Sequence, residues 1–142
     1  MTAPGPSPSP SPEQRDALLA EARAVRERAY APYSEFRVGA ALLTDDQRVV
    51  PGANVESASY GLSMCAERTA VFRAVSEGAR RLVAVAVAAS NEEPTWPCGA
   101  CRQVLYEFGP DMIVVSEGLG GRREERRLAE LLPDAFGPAD LE

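Results

Sequence analysis

The chain has 142 residues, enough for one domain and too few for two of ordinary size. Hydrophobic residues make up 45%, the share expected of a chain that buries a core, and no apolar run reaches the length of a membrane-spanning helix. Against 15 basic side chains stand 21 acidic ones, a net charge of −6, which argues against a polynucleotide partner because gripping phosphates needs a positive surface.

Residues 1–12, MTAPGPSPSPSP, alternate Pro with Ser and cannot build a backbone ladder or bury apolar surface. They read as a disordered tail, with residues 13–142 as a single domain. The first helix has a sharp start: Ser11 as N-cap, Pro12 in the first turn, and Gln14 completing a capping box. Leu18, Ala22, Val25 and Ala29 recur on one face, and Pro32 predicts an end near Tyr30. Residues 37–44 and 47–55 read as a hairpin around Asp45-Asp46, whose second strand carries Pro51 and is therefore an edge.

Residues 65–77 read as a helix ending at Gly78. The segment 82–89, LVAVAVAA, is apolar on both faces and predicts a central strand. A short helix over 99–108, a buried strand over 112–115, a polar edge strand REERRL and a short helix AELLP complete the chain. This order predicts an α/β fold: a three-layer α-β-α sandwich around a mixed five-stranded sheet. The cluster Arg122, Arg123, Arg126 and Arg127 is interrupted by Glu124 and Glu125, so it reads as a solvated surface and not a nucleic-acid footprint.

Histidine is absent, which removes the usual general base and the commonest metal ligand. The three cysteines are an odd number, and the chain start lacks the pattern of a secretory signal, so the cytoplasm is the expected compartment and a disulfide framework is not expected. Cys65-Ala66-Glu67 opens one predicted helix and Pro97-Cys98-Gly99-Ala100-Cys101 another. Helix N-termini favour thiolate, the form that binds zinc. A lone C-x-x-C is compatible with metal binding, redox chemistry or simple burial. With Cys65 added, three ligands would leave a fourth tetrahedral position open, as in catalytic zinc sites. Glu67, two residues from Cys65, could then accept a proton from water and return it to a substrate nitrogen; the plainer role is an exposed glutamate at a helix start. Three thiolates on one divalent ion leave excess negative charge, which Arg68, hydrogen-bonded to sulfur, would offset; the plainer role is a surface salt bridge.

The combination C-A-E with P-C-G-A-C is the signature described for zinc deaminases, with cysteine in place of the first-position histidine. Together with APYSEFRVGAALL, NVESASYGLSMCAERTAVFRAVSEG and ELLPDAFGPADL, it makes the chain resemble the short, three-cysteine, homotetrameric cytidine deaminases from about Leu18 to Leu141. The resemblance implies their fold, a Zn²⁺ held by Cys65, Cys98 and Cys101, and Glu67 as proton shuttle. It implies that Phe36 packs on the pyrimidine, that Asn54 and Glu56 bond the ribose 3′-hydroxyl, and that backbone near Cys65 and Ala66 holds the base. Tyr60 and Phe136 would reach a neighbouring subunit's pocket. The implied reaction is hydrolysis of cytidine and 2′-deoxycytidine to the uridines and ammonia, in pyrimidine salvage. Alternatives are another cytosine nucleoside such as blasticidin, or a module with purely structural zinc. Departures from the family pattern, at the glycine-free turn, Pro51 and REERR, all lie away from the metal set.

Overall fold

The computed structural model describes residues 9–142. Helix α1 spans Pro12–Arg26 and begins with the predicted capping box: Gln14 N donates to Ser11 Oγ at 3.1 Å, and Ser11 N donates to Gln14 Oε1 at 2.9 Å. Ser11 and Pro12 thus belong to the helix start, although the sequence boundary placed them in the tail; residues 1–8 of that tail lie outside the described residues. The helix ends earlier than the predicted Tyr30 because that residue is used elsewhere. Its amide donates to the Asn54 carbonyl, and its own carbonyl accepts from the Glu56 amide, so the chain there pairs like a strand.

The sheet contains β1 (Val38–Thr44), β2 (Val49–Ala53), β3 (Leu82–Ala89), β4 (Ile113–Glu117) and β5 (Arg123–Arg127) in the order β2-β1-β3-β4-β5. Only β3 and β4 pair in parallel, joined by the crossover through α3 (Gly99–Phe108); the other pairs are antiparallel. The β1–β2 turn has no glycine, and Gln47 takes the left-handed position with φ 71°. As predicted, Pro51 sits in an edge strand, and β3 is central and buried along its whole length. The polar strand REERR forms the opposite edge, and α4 (Leu128–Leu131) follows it.

Two layers of helix cover the sheet. On one face, Leu18, Leu19 and Ala22 of α1 pack on Ala41, Leu43, Ala86 and Ala88. Small strand residues let α1 come close: a Cβ on Gly39 would lie 1.9 Å from the Ala22 carbonyl oxygen. On the other face, Ala66, Ala70 and Val71 of α2 (Ala66–Ser76) and Leu105 of α3 pack on Leu42, Val85, Val87 and Val114. Here Gly52 is the point of closest approach, since a Cβ would lie 2.5 Å from the Ala70 nitrogen. Ion pairs Arg15–Glu125 (2.7 Å) and Asp16–Arg123 (2.9 Å) tie α1 to β5, so the charges of that edge are largely met within the chain.

The two glycines differ in what they support, because α2 carries Cys65 and Glu67 at its start and α1 carries no site residue. Gly39→Ala should lower stability by about 2 kcal/mol or more through overpacking, with zinc content preserved in the protein that stays folded. Gly52→Ala should lower stability similarly and also reduce zinc per chain, because α2 must back away. Denaturant midpoints alongside metal quantification check both.

Candidate active site

Two helices begin at the same place. Cys65 is the N-cap of α2, and Cys98 is the N-cap of α3 with Cys101 in its first turn. The sulfurs of Cys65 and Cys98 are 3.8 Å apart, and those of Cys98 and Cys101 are 3.5 Å apart. Tetrahedral zinc with bonds of about 2.3 Å requires sulfurs about 3.8 Å apart, close to these two separations, and all three sulfurs lie within 4.8 Å of one another. The three sulfurs form the only metal-ligand group among the described residues, and no carboxylate joins them to close the fourth position. Cys65 is favoured as thiolate. Its pKa is pulled to about 5 by the hydrogen bond from Cys101 and, against the cost of burial, by Arg68; Cys101, as the donor, is pushed up in turn.

Arg68 lies one turn along α2 from Cys65, and its Nη2 donates to Cys65 Sγ at 3.5 Å. It forms no carboxylate ion pair among the described residues, and its Nε is buried without a partner. Arg102 is directed elsewhere. Its Nε donates to the Pro97 carbonyl at 2.6 Å and its Nη1 to the Leu131 carbonyl at 2.7 Å, stapling the start of α3 to α4. Glu67 is only 5% exposed. Burial pushes its carboxyl pKa up to about 7, and the charge on Cys65 adds to the rise. A carboxyl poised there can give and take a proton near neutral pH.

Cys65, Cys98 and Glu67 border a cavity of about 290 Å³. Phe36, Asn54, Glu56 and Ala66 border it as well, so the structure gathers these sequence-predicted residues into one place. The N-x-E spacing explains part of this: in an extended segment, residues 54 and 56 share a face while Val55 points outward. A pair of hydrogen bonds between Val55 and Met64 then binds this segment to the residue preceding Cys65. Asn54 also serves the fold. Its Oδ1 accepts from the Val38 amide at 2.8 Å, and its Nδ2 donates to the Phe36 carbonyl at 2.9 Å. Glu56 accepts from the Tyr33 and Ser34 amides and from the Ser34 hydroxyl, contacts that hold its carboxyl below its usual range.

Tyr60 and Phe136 do not border this cavity. Tyr60 is 74% exposed, stands edge-on to Tyr33 at 5.8 Å, and flanks an adjoining hollow with Ser34, Glu56 and Ser63. Phe136 is 60% exposed, and its carbonyl accepts from Gln103. The cavity also includes Ser34, Ser63, Met64, Thr95 and Trp96, which sequence reasoning passed over. Ser34, Ser63 and Met64 lie inside the stretches that carry the family resemblance, and Thr95 and Trp96 directly precede Pro97-Cys98, so position was their signal.

Asn54→Ala should therefore cost stability as well as ligand binding, because it strands the Val38 amide and the Phe36 carbonyl. A loss of about 2 kcal/mol is expected from the two unsatisfied groups. A denaturant titration of the zinc-loaded chain measures it, and an unchanged midpoint would show that the clamp carries no weight.

The comparisons with known proteins agree with this geometry. The cytidine deaminase of Halalkalibacterium halodurans is 54% identical over 128 residues, covering 89% of this chain and 97% of that one. The crystal structure of cytidine deaminase from Burkholderia pseudomallei superposes with a TM-score of 0.82 at 52% identity, covering 85% of this chain and 98% of that one. That of Mycobacterium tuberculosis cytidine deaminase gives 0.75 at 46% identity, covering 86% and 96%. A family model described as the cytidine and deoxycytidylate deaminase zinc-binding region matches residues 12–117, the stretch that holds all three thiols and Glu67. This chain belongs to the cytidine and deoxycytidylate deaminase family.

Proposed function

We propose that this protein is a zinc-dependent hydrolase that converts cytidine and 2′-deoxycytidine to uridine and 2′-deoxyuridine, releasing ammonia. The observation that carries the reading is Glu67, a nearly fully buried carboxyl two residues after the Cys65 cap and on the same cavity as Cys65 and Cys98. Cys65, Cys98 and Cys101 would hold the ion, which when bound supplies a Lewis acid that acidifies water near neutral pH. Glu67 takes a proton from the attacking water and delivers it to pyrimidine N3. With the C4–O bond formed, the same carboxyl takes the second proton from the new C4 hydroxyl and passes it to the amine as the C4–N bond breaks, leaving the C4 carbonyl of the uridine and ammonia. Phe36 would lie on the pyrimidine, the backbone at Ala66 would hold its edge, and Asn54 and Glu56 would read the ribose 3′-hydroxyl with their remaining hydrogen-bonding capacity. Arg68, on the Cys65 sulfur, would draw charge from the ligand set.

The family description names a nucleoside, cytidine, and a nucleotide, deoxycytidylate, and the cavity favours the nucleoside. Glu56 and Glu67 border it, and no bordering residue is basic, so a 5′-phosphate would meet like charge with no counterion. A structural-zinc module is the weaker alternative, because such sites have four protein ligands. We assign the reaction to pyrimidine salvage. Three free thiols suit a reducing cytoplasm, and no helix among the described residues is long and apolar enough to cross a membrane. The exposure of Tyr60 and Phe136 suits a homotetramer in which each completes a neighbouring copy's pocket.

Glu67→Gln should keep about one zinc per chain while lowering kcat by about 10²- to 10⁴-fold. Ultraviolet assays of cytidine with metal quantification test this, and retention of both zinc and turnover would overturn the shuttle role. In a substrate panel, both nucleosides should be hydrolysed, and their 5′-monophosphates should show kcat/KM at least about tenfold lower. Activity on blasticidin with none on cytidine would overturn the substrate assignment.

A further inference from the structure

Trp96 is the only tryptophan in the chain, and it stands immediately before Pro97-Cys98. It borders the active-site cavity together with Thr95 and Cys98 and packs against the core cluster beneath α2 and α3. Its backbone is fixed on both sides. The buried Ser116 hydroxyl of β4 donates to the Thr95 carbonyl at 2.6 Å, and Arg102 Nε donates to the Pro97 carbonyl at 2.6 Å. The ring itself is held from the edge strand, where the Arg126 guanidinium carbon lies 5.0 Å from the ring centroid. Arg126 pairs in register with Val114, which places it on the side of the sheet that carries α2 and α3.

The other arginines of the same cluster have acidic partners: Arg122 with Glu93 and Glu124, Arg123 with Asp16, and Arg127 with Glu130. Among the described residues, the only carboxylate near Arg126 is Glu124 at 3.9 Å; its Nη1 donates to the neighbouring Glu125 carbonyl at 2.9 Å, and its guanidinium faces the indole. A guanidinium over an indole face is attracted by the ring quadrupole and also restricts the ring's rotation. An indole held this way offers a large apolar wall without an ordering cost when a ligand arrives.

We infer that Trp96 is a substrate-contacting wall of this site and that Arg126, acting through it, is a positioning residue for nucleoside binding. The inference rests on the assignment of the cavity as the nucleoside site. It predicts that β5, an edge strand that holds none of the metal-binding or N-x-E residues, affects KM and not the proton transfer at Glu67.

The single indole makes the test direct. Uridine, the unreacting product, should change the tryptophan emission of the zinc-loaded full chain saturably and protect it from acrylamide quenching. Arg126→Met keeps the aliphatic stem and removes the charge; it should raise KM for cytidine about threefold to fivefold with kcat within about twofold. Arg126→Lys should recover most of that loss, which loss of packing alone would not reverse. If wild-type enzyme hydrolyses cytidine but saturating uridine leaves the emission and quenching unchanged, Trp96 is not a wall of the site and the inference falls alone. If cytidine is not hydrolysed at all, the assignment of the cavity falls and takes the inference with it. Equal loss of kcat and KM effects in Arg126→Met and Arg126→Lys would also overturn the positioning role.

Discussion

Two helix N-termini meet at one point, and this meeting sets the terms for the rest of the molecule. Free amide donors and aligned peptide dipoles at the starts of α2 and α3 favour negative charge, and Cys65, Cys98 and Cys101 place sulfur there. Bringing the two starts together requires a scaffold that fixes both helices on one face of a sheet. The close approach of α2 to β2 at Gly52 and the β3–α3–β4 crossover provide it. The site consequently opens beyond the end of β3, where a parallel crossover leaves a crevice, with Val87 among its walls.

The metal set was legible in the sequence because its chemistry is local and its alternatives are few. With three cysteines and no histidine, spacing alone nearly determines which atoms can share an ion. The central strand was equally legible, since LVAVAVAA has no polar face to expose. The end of α1 was not, because Tyr30 leaves the helix to pair with Asn54 and Glu56, more than twenty residues away. Trp96 was hidden for a related reason: its role depends on Arg126 reaching it from another strand. Tyr60 and Phe136 were singled out by resemblance, and a single chain gives them no place in the cavity.

Asn54 and Glu56 both brace the backbone around the cavity that they border. Each uses part of its hydrogen-bonding capacity to hold the loop that carries Phe36, and each presents the remainder to the cavity. A side chain fixed by the backbone it supports has little rotamer freedom left to lose when a ligand binds. The same economy appears at Arg102, whose charge is spent on two carbonyls that secure the start of α3.

The two edges of the sheet have a bearing on how the chain meets its neighbours. At one margin β2 contains Pro51, which has no amide hydrogen to offer an incoming strand. At the other, β5 reads REERR, and an incoming strand would have to be laid against an unbroken run of charged side chains. Neither margin invites the sheet to grow by strand addition. Any contact between copies of this chain would therefore run through helix and loop surfaces, where side chains make the contacts, and not through an open-ended ladder of backbone hydrogen bonds.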